Sequence, residues 1–119
     1  MVTKKKAIFL DRDGVLVKSI IKNKKGYAPR NMKEFSLYPD IADACAKLKK
    51  KNYLLIIITN QPDLGEKLIE EKVFNKMNKI LNNLINYDKM YISKSHSSNS
   101  YFRKPNPGLF KLAITRYKI

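Results

Sequence analysis

The sequence predicts an α/β fold in which a parallel sheet is flanked by helices. Three short apolar runs, Ala7–Leu10, "YLLIIITN" and "KMYIS", each close in polar residues, and the segments between the second and third and after the third repeat apolar side chains at helical spacing. Alternation of this kind implies right-handed crossovers and a parallel sheet covered on both faces. With 119 residues, the chain has room for one small core, so residues 1–119 are expected to form a single domain.

Each element has its own local reason. Ala7 to Leu10, bounded by Lys and Asp, suits a first strand buried on both faces. Val15 to Pro39 is irregular, and "NKKGYAPRN" supplies Gly, Pro and Asn turn signals, so this stretch is expected to be a mobile flap without regular structure. Asp40 can cap a helix with Ile41, Ala44, Cys45 and Leu48 on one face and lysines at its far end, stopping near Asn52. "YLLIIITN" is the clearest buried strand. A loop at "QPDLG" follows, then a helix over Glu66 to Leu84, with Leu68, Ile69, Val73, Met77, Ile80, Leu81 and Leu84 in helical period. "KMYIS" is the third strand, "SHSSNSYFRKPNPG" a loop, and the last helix starts near Pro107 and carries Leu109, Phe110, Leu112, Ala113 and Ile114.

Composition narrows the function classes. The formal charge of +15 attracts phosphorylated ligands, nucleic acid or anionic membrane alike, and lysine and asparagine are so abundant throughout that much of it belongs to solvated faces. Basic residues are not interleaved with aromatic platforms and no nucleic-acid module is recognisable, so a nucleic-acid partner ranks last. The single Cys45 excludes an internal disulfide and suits a reducing cytoplasm. No apolar run approaches the ~18 residues of a membrane span, and the four apolar residues after "KKK" are too few for a secretion signal.

Ligands of such sheets sit at the carboxyl ends of the strands, and every polar cluster follows a strand. Asp11 and Asp13 come after the first, Thr59, Asn60 and Gln61 after the second, and Arg103 and Lys104 lie in the loop after the third. Two carboxylates two residues apart repel unless a cation neutralises them, and Mg2+ takes oxygen ligands of this kind. They can also divide labour: Asp11 to attack an electrophile such as phosphorus, Asp13 to protonate the leaving oxygen and later activate water. Gly14 would let the chain turn sharply beside the substrate. Thr59, Asn60 and Lys104 suit the charge that spreads over a transferring phosphoryl group. Singly these residues are commonplace. Their joint order after successive strands carries the reading.

"FLDRDGVL", "IIITNQ" and "FRKPNPGLF" resemble the first three motifs of the haloacid dehalogenase superfamily, in the wording of its branch of heptose-bisphosphate and histidinol-phosphate phosphatases, to which "GYAPRNMKEFSLYPDI" is also similar. The resemblance runs from about Ile8 to the last residue. It implies a Rossmann-like, nearly capless phosphatase core acting on a small phosphorylated metabolite. Asp11 would be the nucleophile and Asp13 the general acid and base. Mg2+ would be held by Asp11 and the backbone carbonyl of Asp13. Thr59 and Asn60 would bind phosphate, Lys104 would neutralise the nucleophile and phosphate, and Arg12, Gly14, Gln61 and Arg103 would complete the substrate contacts.

The chain departs from that pattern in two places. Lys94, Ser100 and Phe102 stand where branch members carry zinc-binding cysteines, which leaves His96 alone as an exposed loop residue and predicts no zinc. The superfamily's fourth, acidic motif and its strand are not among these 119 residues. The expectation is therefore a partial domain in which the first strand is a sheet edge, able to pair with a second copy. Heptose bisphosphate is the leading substrate and histidinol phosphate the alternative, with a non-catalytic phosphate-binding protein as the reading from another class.

Overall fold

In the computed structural model, residues 4–119 are described. Strands β1 (Lys6–Leu10), β4 (Tyr53–Asn60) and β5 (Lys89–Ser93) form a parallel sheet in the order β1-β4-β5, and β2 (Ile20–Lys22) pairs with β3 (Lys25–Tyr27) as an antiparallel hairpin. The helices are α1 (Ile41–Lys50), α2 (Pro62–Gly65), α3 (Glu71–Ile85) and α4 (Gly108–Tyr117).

β4 is central because its "LLIII" run has no polar side chain to expose on either face. Leu55 and Ile57 point to one side, into a core with Ile41 and Cys45 of α1 and Leu81 and Ile85 of α3. Ile56 and Ile58 point to the other, against Leu109 and Ala113 of α4. The period of two in a strand thus gives each helical layer its own row of side chains. β1 joins β4 from Lys6↔Tyr53 to Leu10↔Ile57, and β5 joins it from Ile56↔Lys89 to Asn60↔Ser93. This register brings the carboxyl ends of all three strands to one edge.

β1 was expected to be buried on both faces, but Ala7 to Leu10 are only half-buried, since β1 has a strand neighbour on one side alone among the described residues. The Val15–Pro39 flap contains the β2–β3 hairpin, whose turn residues Asn23 and Lys24 both have positive φ, 51° and 62°. Two left-handed central residues mark the turn whose twist suits a two-residue hairpin. Asp40 stands at the start of α1 but makes no side-chain cap; its carbonyl accepts from Ala44 N–H instead. "QPDLG" is not a loop but the short helix α2, opened by Pro62, whose missing N–H costs nothing at a first turn. α3 starts at Glu71 rather than Glu66, because Lys67 has φ 61° and Glu70 is extended. Ile69 is nevertheless buried, packed with Leu64, Phe74 and Met77.

Candidate active site

Asp11 leaves β1 and meets Lys104 from the loop after β5. Lys104 Nζ donates to Asp11 Oδ1 at 2.9 Å, and the Arg12 backbone N–H donates to the same oxygen at 2.8 Å. With Oδ1 held twice, Oδ2 is the oxygen left without a hydrogen bond to the described residues. Lys104 is itself held by Asn60 at the end of β4: Lys104 N–H donates to Asn60 Oδ1 at 3.0 Å, and Asn60 Nδ2 donates to the Lys104 carbonyl at 3.2 Å. The first, second and third motifs are therefore joined by one chain of contacts.

Gly14 follows with φ +88°, a conformation that side chains with a Cβ rarely adopt, and its N–H donates to the Val17 carbonyl at 2.8 Å. This tight turn presents Asp13 to a cleft of about 420 Å³, lined also by Ser19, Tyr27, Asn60, Gln61 and Asp63. The size is in the range of small-molecule sites. The hairpin forms one wall of it. Arg30, beyond the hairpin, lies over the Tyr27 ring and donates to Asp63 of α2 at 2.9 Å, so flap and α2 are tied across the cleft.

Asp13 is mostly buried, its side chain 17% exposed. Burial pushes its carboxyl up, against the downward pull of the Arg12 guanidinium and the Gln61 amide. Arg12 and Gln61, expected at the substrate, are turned onto this carboxylate. Arg12 is 1% exposed and donates through Nη1 to Asp13 Oδ1 at 2.7 Å; Gln61 Nε2 donates to Asp13 Oδ2 and, at 3.0 Å, to Thr59 Oγ1. Thr59 is buried beneath Gln61. Arg103 is half-buried, with an Nη1 that has no partner among the described residues.

The contacts of Arg12 with Asn78 and of Arg30 with Asp63 were missed at the sequence level, because partners on α3 and α2 lie 66 and 33 residues away. His96 is exposed and pairs with Glu66 at 2.8 Å. No group of three or more His, Cys, Asp or Glu side chains able to hold a metal occurs among the described residues. The Asp11 carboxylate and the Asp13 backbone carbonyl still fit Mg2+, which needs only one or two carboxylates when water and substrate phosphate supply the remaining oxygens.

A family model described as polynucleotide kinase 3 phosphatase matches residues 6–119. An uncharacterised protein of Methanocaldococcus jannaschii is 45% identical over 64 residues, 54% of this chain and 61% of its own. The D-glycero-β-D-manno-heptose-1,7-bisphosphate 7-phosphatase of Vibrio cholerae is 29% identical over 119 residues, 89% of this chain and 61% of its own. Among solved structures, the D,D-heptose 1,7-bisphosphate phosphatase of B. bronchiseptica, complexed with magnesium and phosphate, superposes with a TM-score of 0.77 at 23% identity. That match covers 96% of this chain and 64% of the solved one, and it is a likeness of fold. The chain thus spans less than two thirds of the length of each of these three proteins.

Proposed function

From a chain that belongs to the polynucleotide kinase 3 phosphatase family, whose motifs resemble those of the haloacid dehalogenase superfamily and whose fold is shared with a solved phosphatase, we propose hydrolysis of a phosphomonoester on a small metabolite, a heptose bisphosphate, in the cytoplasm. One observation carries the reading. Lys104 Nζ, 93 residues along the chain, lies 2.9 Å from Asp11 Oδ1, so a cation is in place where an attacking carboxylate and a phosphoryl group would concentrate negative charge. The heptose-bisphosphate phosphatase of Vibrio cholerae supports the substrate class.

The steps follow from the residues. Asp11 Oδ2 attacks phosphorus; the bond from phosphorus to the leaving oxygen breaks, and that oxygen takes a proton from Asp13. Asp13, now a carboxylate, removes a proton from water, whose oxygen attacks phosphorus and releases inorganic phosphate with Asp11 restored. Lys104 offsets charge throughout, and Asn60 keeps it in reach by holding its backbone. Mg2+, held by the Asp11 carboxylate and the Asp13 backbone carbonyl, would lower the repulsion between nucleophile and phosphate.

The test is phosphate release with Mg2+ from heptose 1,7-bisphosphate, histidinol phosphate and a 3′-phosphorylated oligonucleotide, each with Asp11→Asn beside the wild type. Release from the heptose ester that Asp11→Asn abolishes is the expected result. Release that survives the substitution would rule out an aspartyl-phosphate. Tight binding without release by the wild type would make this a phosphate-binding protein instead.

A further inference from the structure

We propose that Arg12 and Gln61 are positioning residues that hold the Asp13 carboxylate by one oxygen each, and that α3 is the platform on which this clamp is built. The proposal deepens the phosphatase reading and rests on it.

Asp13 has two tasks in opposite directions, giving a proton to a leaving oxygen and taking one from water, and both need its carboxylate at one fixed angle. A carboxylate held by one oxygen can still swing about that contact, whereas holding both oxygens fixes its plane. Here both are held: Arg12 Nη1 holds Oδ1 and Gln61 Nε2 holds Oδ2. Gln61 is fixed in turn by Thr59 Oγ1.

Arg12 is fixed by α3. Its Nε donates to Asn78 Oδ1 at 2.9 Å, its Nη2 lies 3.7 Å from Met77 Sδ, and its guanidinium lies over the Phe74 ring with 4.6 Å to the centroid. Phe74, Met77 and Asn78 are spaced i, i+3, i+4, so they form one face of the helix. A buried ion pair is a poor source of stability, because desolvating two charges offsets their attraction. What this one supplies is direction. With each guanidinium nitrogen in contact and the side chain 1% exposed, Arg12 is too deeply seated to reach a phosphate without leaving its place.

Two measurements test the clamp. In protein labelled with 15N-arginine, the Nε and Nη protons of Arg12 exchange slowly with solvent, and the Nη protection is lost in Asp13→Asn. Rapid exchange in the wild type would overturn the proposal whether or not the protein turns over. In the release assay, Gln61→Met and Asn78→Leu each lower kcat about 10- to 100-fold with KM nearly unchanged, and neither lowers it further in the Asp13→Asn background. A raised KM with kcat kept would put Gln61 on the substrate and overturn the clamp. A wild type that releases no phosphate would overturn the phosphatase reading alone, and the exchange measurement would still decide the clamp.

Discussion

At the scale of single residues, Asn60 does two jobs with one amide. It accepts from Lys104 N–H and donates to the Lys104 carbonyl, so the loop after β5 is pinned to the end of β4. Asn60→Ala removes both bonds and leaves a partly buried N–H without a partner, at a cost of about 1–3 kcal/mol. The urea midpoint should fall with the slope unchanged, and phosphate release should fall with it, because Lys104 Nζ then loses its fixed distance from Asp11. An unchanged midpoint would mean that the loop is held by other contacts. The order of Asp11, Asn60 and Lys104 along the chain was legible, since each lies at the end of a strand or in the loop after one. The orientation of Arg12 was not: "DRDG" gives no sign that the guanidinium turns back under the strand, and on the partner helix the apolar period marks Met77 as inward-facing but passes over Asn78.

Among the elements, the three sheet strands and α1, α3 and α4 could be read from their apolar period, although burial follows it only in part: Ile80 and Leu84 of α3 and Leu112 and Ile114 of α4 are exposed, and β1 is half-buried. The hairpin could not. Its turn uses Asn23 and Lys24 where a glycine would have announced it, and Lys at positive φ is uncommon enough to hide the turn. That hairpin is held by exposed pairs, Arg30 with Asp63 and Lys22 with Glu34. Arg30 is partly exposed, so its pair contributes no more than about 1 kcal/mol. Asp63→Asn should therefore leave global stability nearly unchanged while speeding amide exchange in residues 20–27, with KM rising as the cleft wall loosens. Glu34 adds a pH dependence. The Arg30 backbone N–H, and then Lys22, hold its carboxyl below the usual range. A depressed carboxyl contributes stability above its unfolded value and loses it as pH falls through the folded one. Glu34→Gln should accordingly destabilise the protein at neutral pH and make no difference once pH is below the folded value, as a pair of thermal melts at each pH would show.

Across the whole molecule, the +15 charge is not a property of the cleft. Around the cleft, Lys104 faces Asp11, Arg12 faces Asp13, Arg30 faces Asp63 and Lys22 faces Glu34, so the local charges largely cancel in pairs. The excess lies elsewhere, as at the end of α1, where Lys47 and Lys50 flank Lys49, itself paired with Asp88. Beyond a Debye length, about 10 Å at 0.1 M salt, such charges are largely screened. A small phosphate ester in the cleft therefore gains little from them, whereas a long polyanion can lie across the basic surface and displace counterions. The two substrate classes should separate by salt alone. Raising salt about tenfold from low ionic strength should lower kcat/KM for heptose bisphosphate only a few-fold, with kcat constant. Affinity for a 3′-phosphorylated oligonucleotide should fall steeply, by about −0.7 in log–log slope for each phosphate contacted on a single strand. If the oligonucleotide is the better substrate at low salt and the worse one at physiological salt, the basic surface is general solvation and the cleft belongs to a small metabolite. If it remains the better substrate at both, the lysines outside the cleft are part of the binding surface, and the polynucleotide named in the family description is the substrate class to pursue.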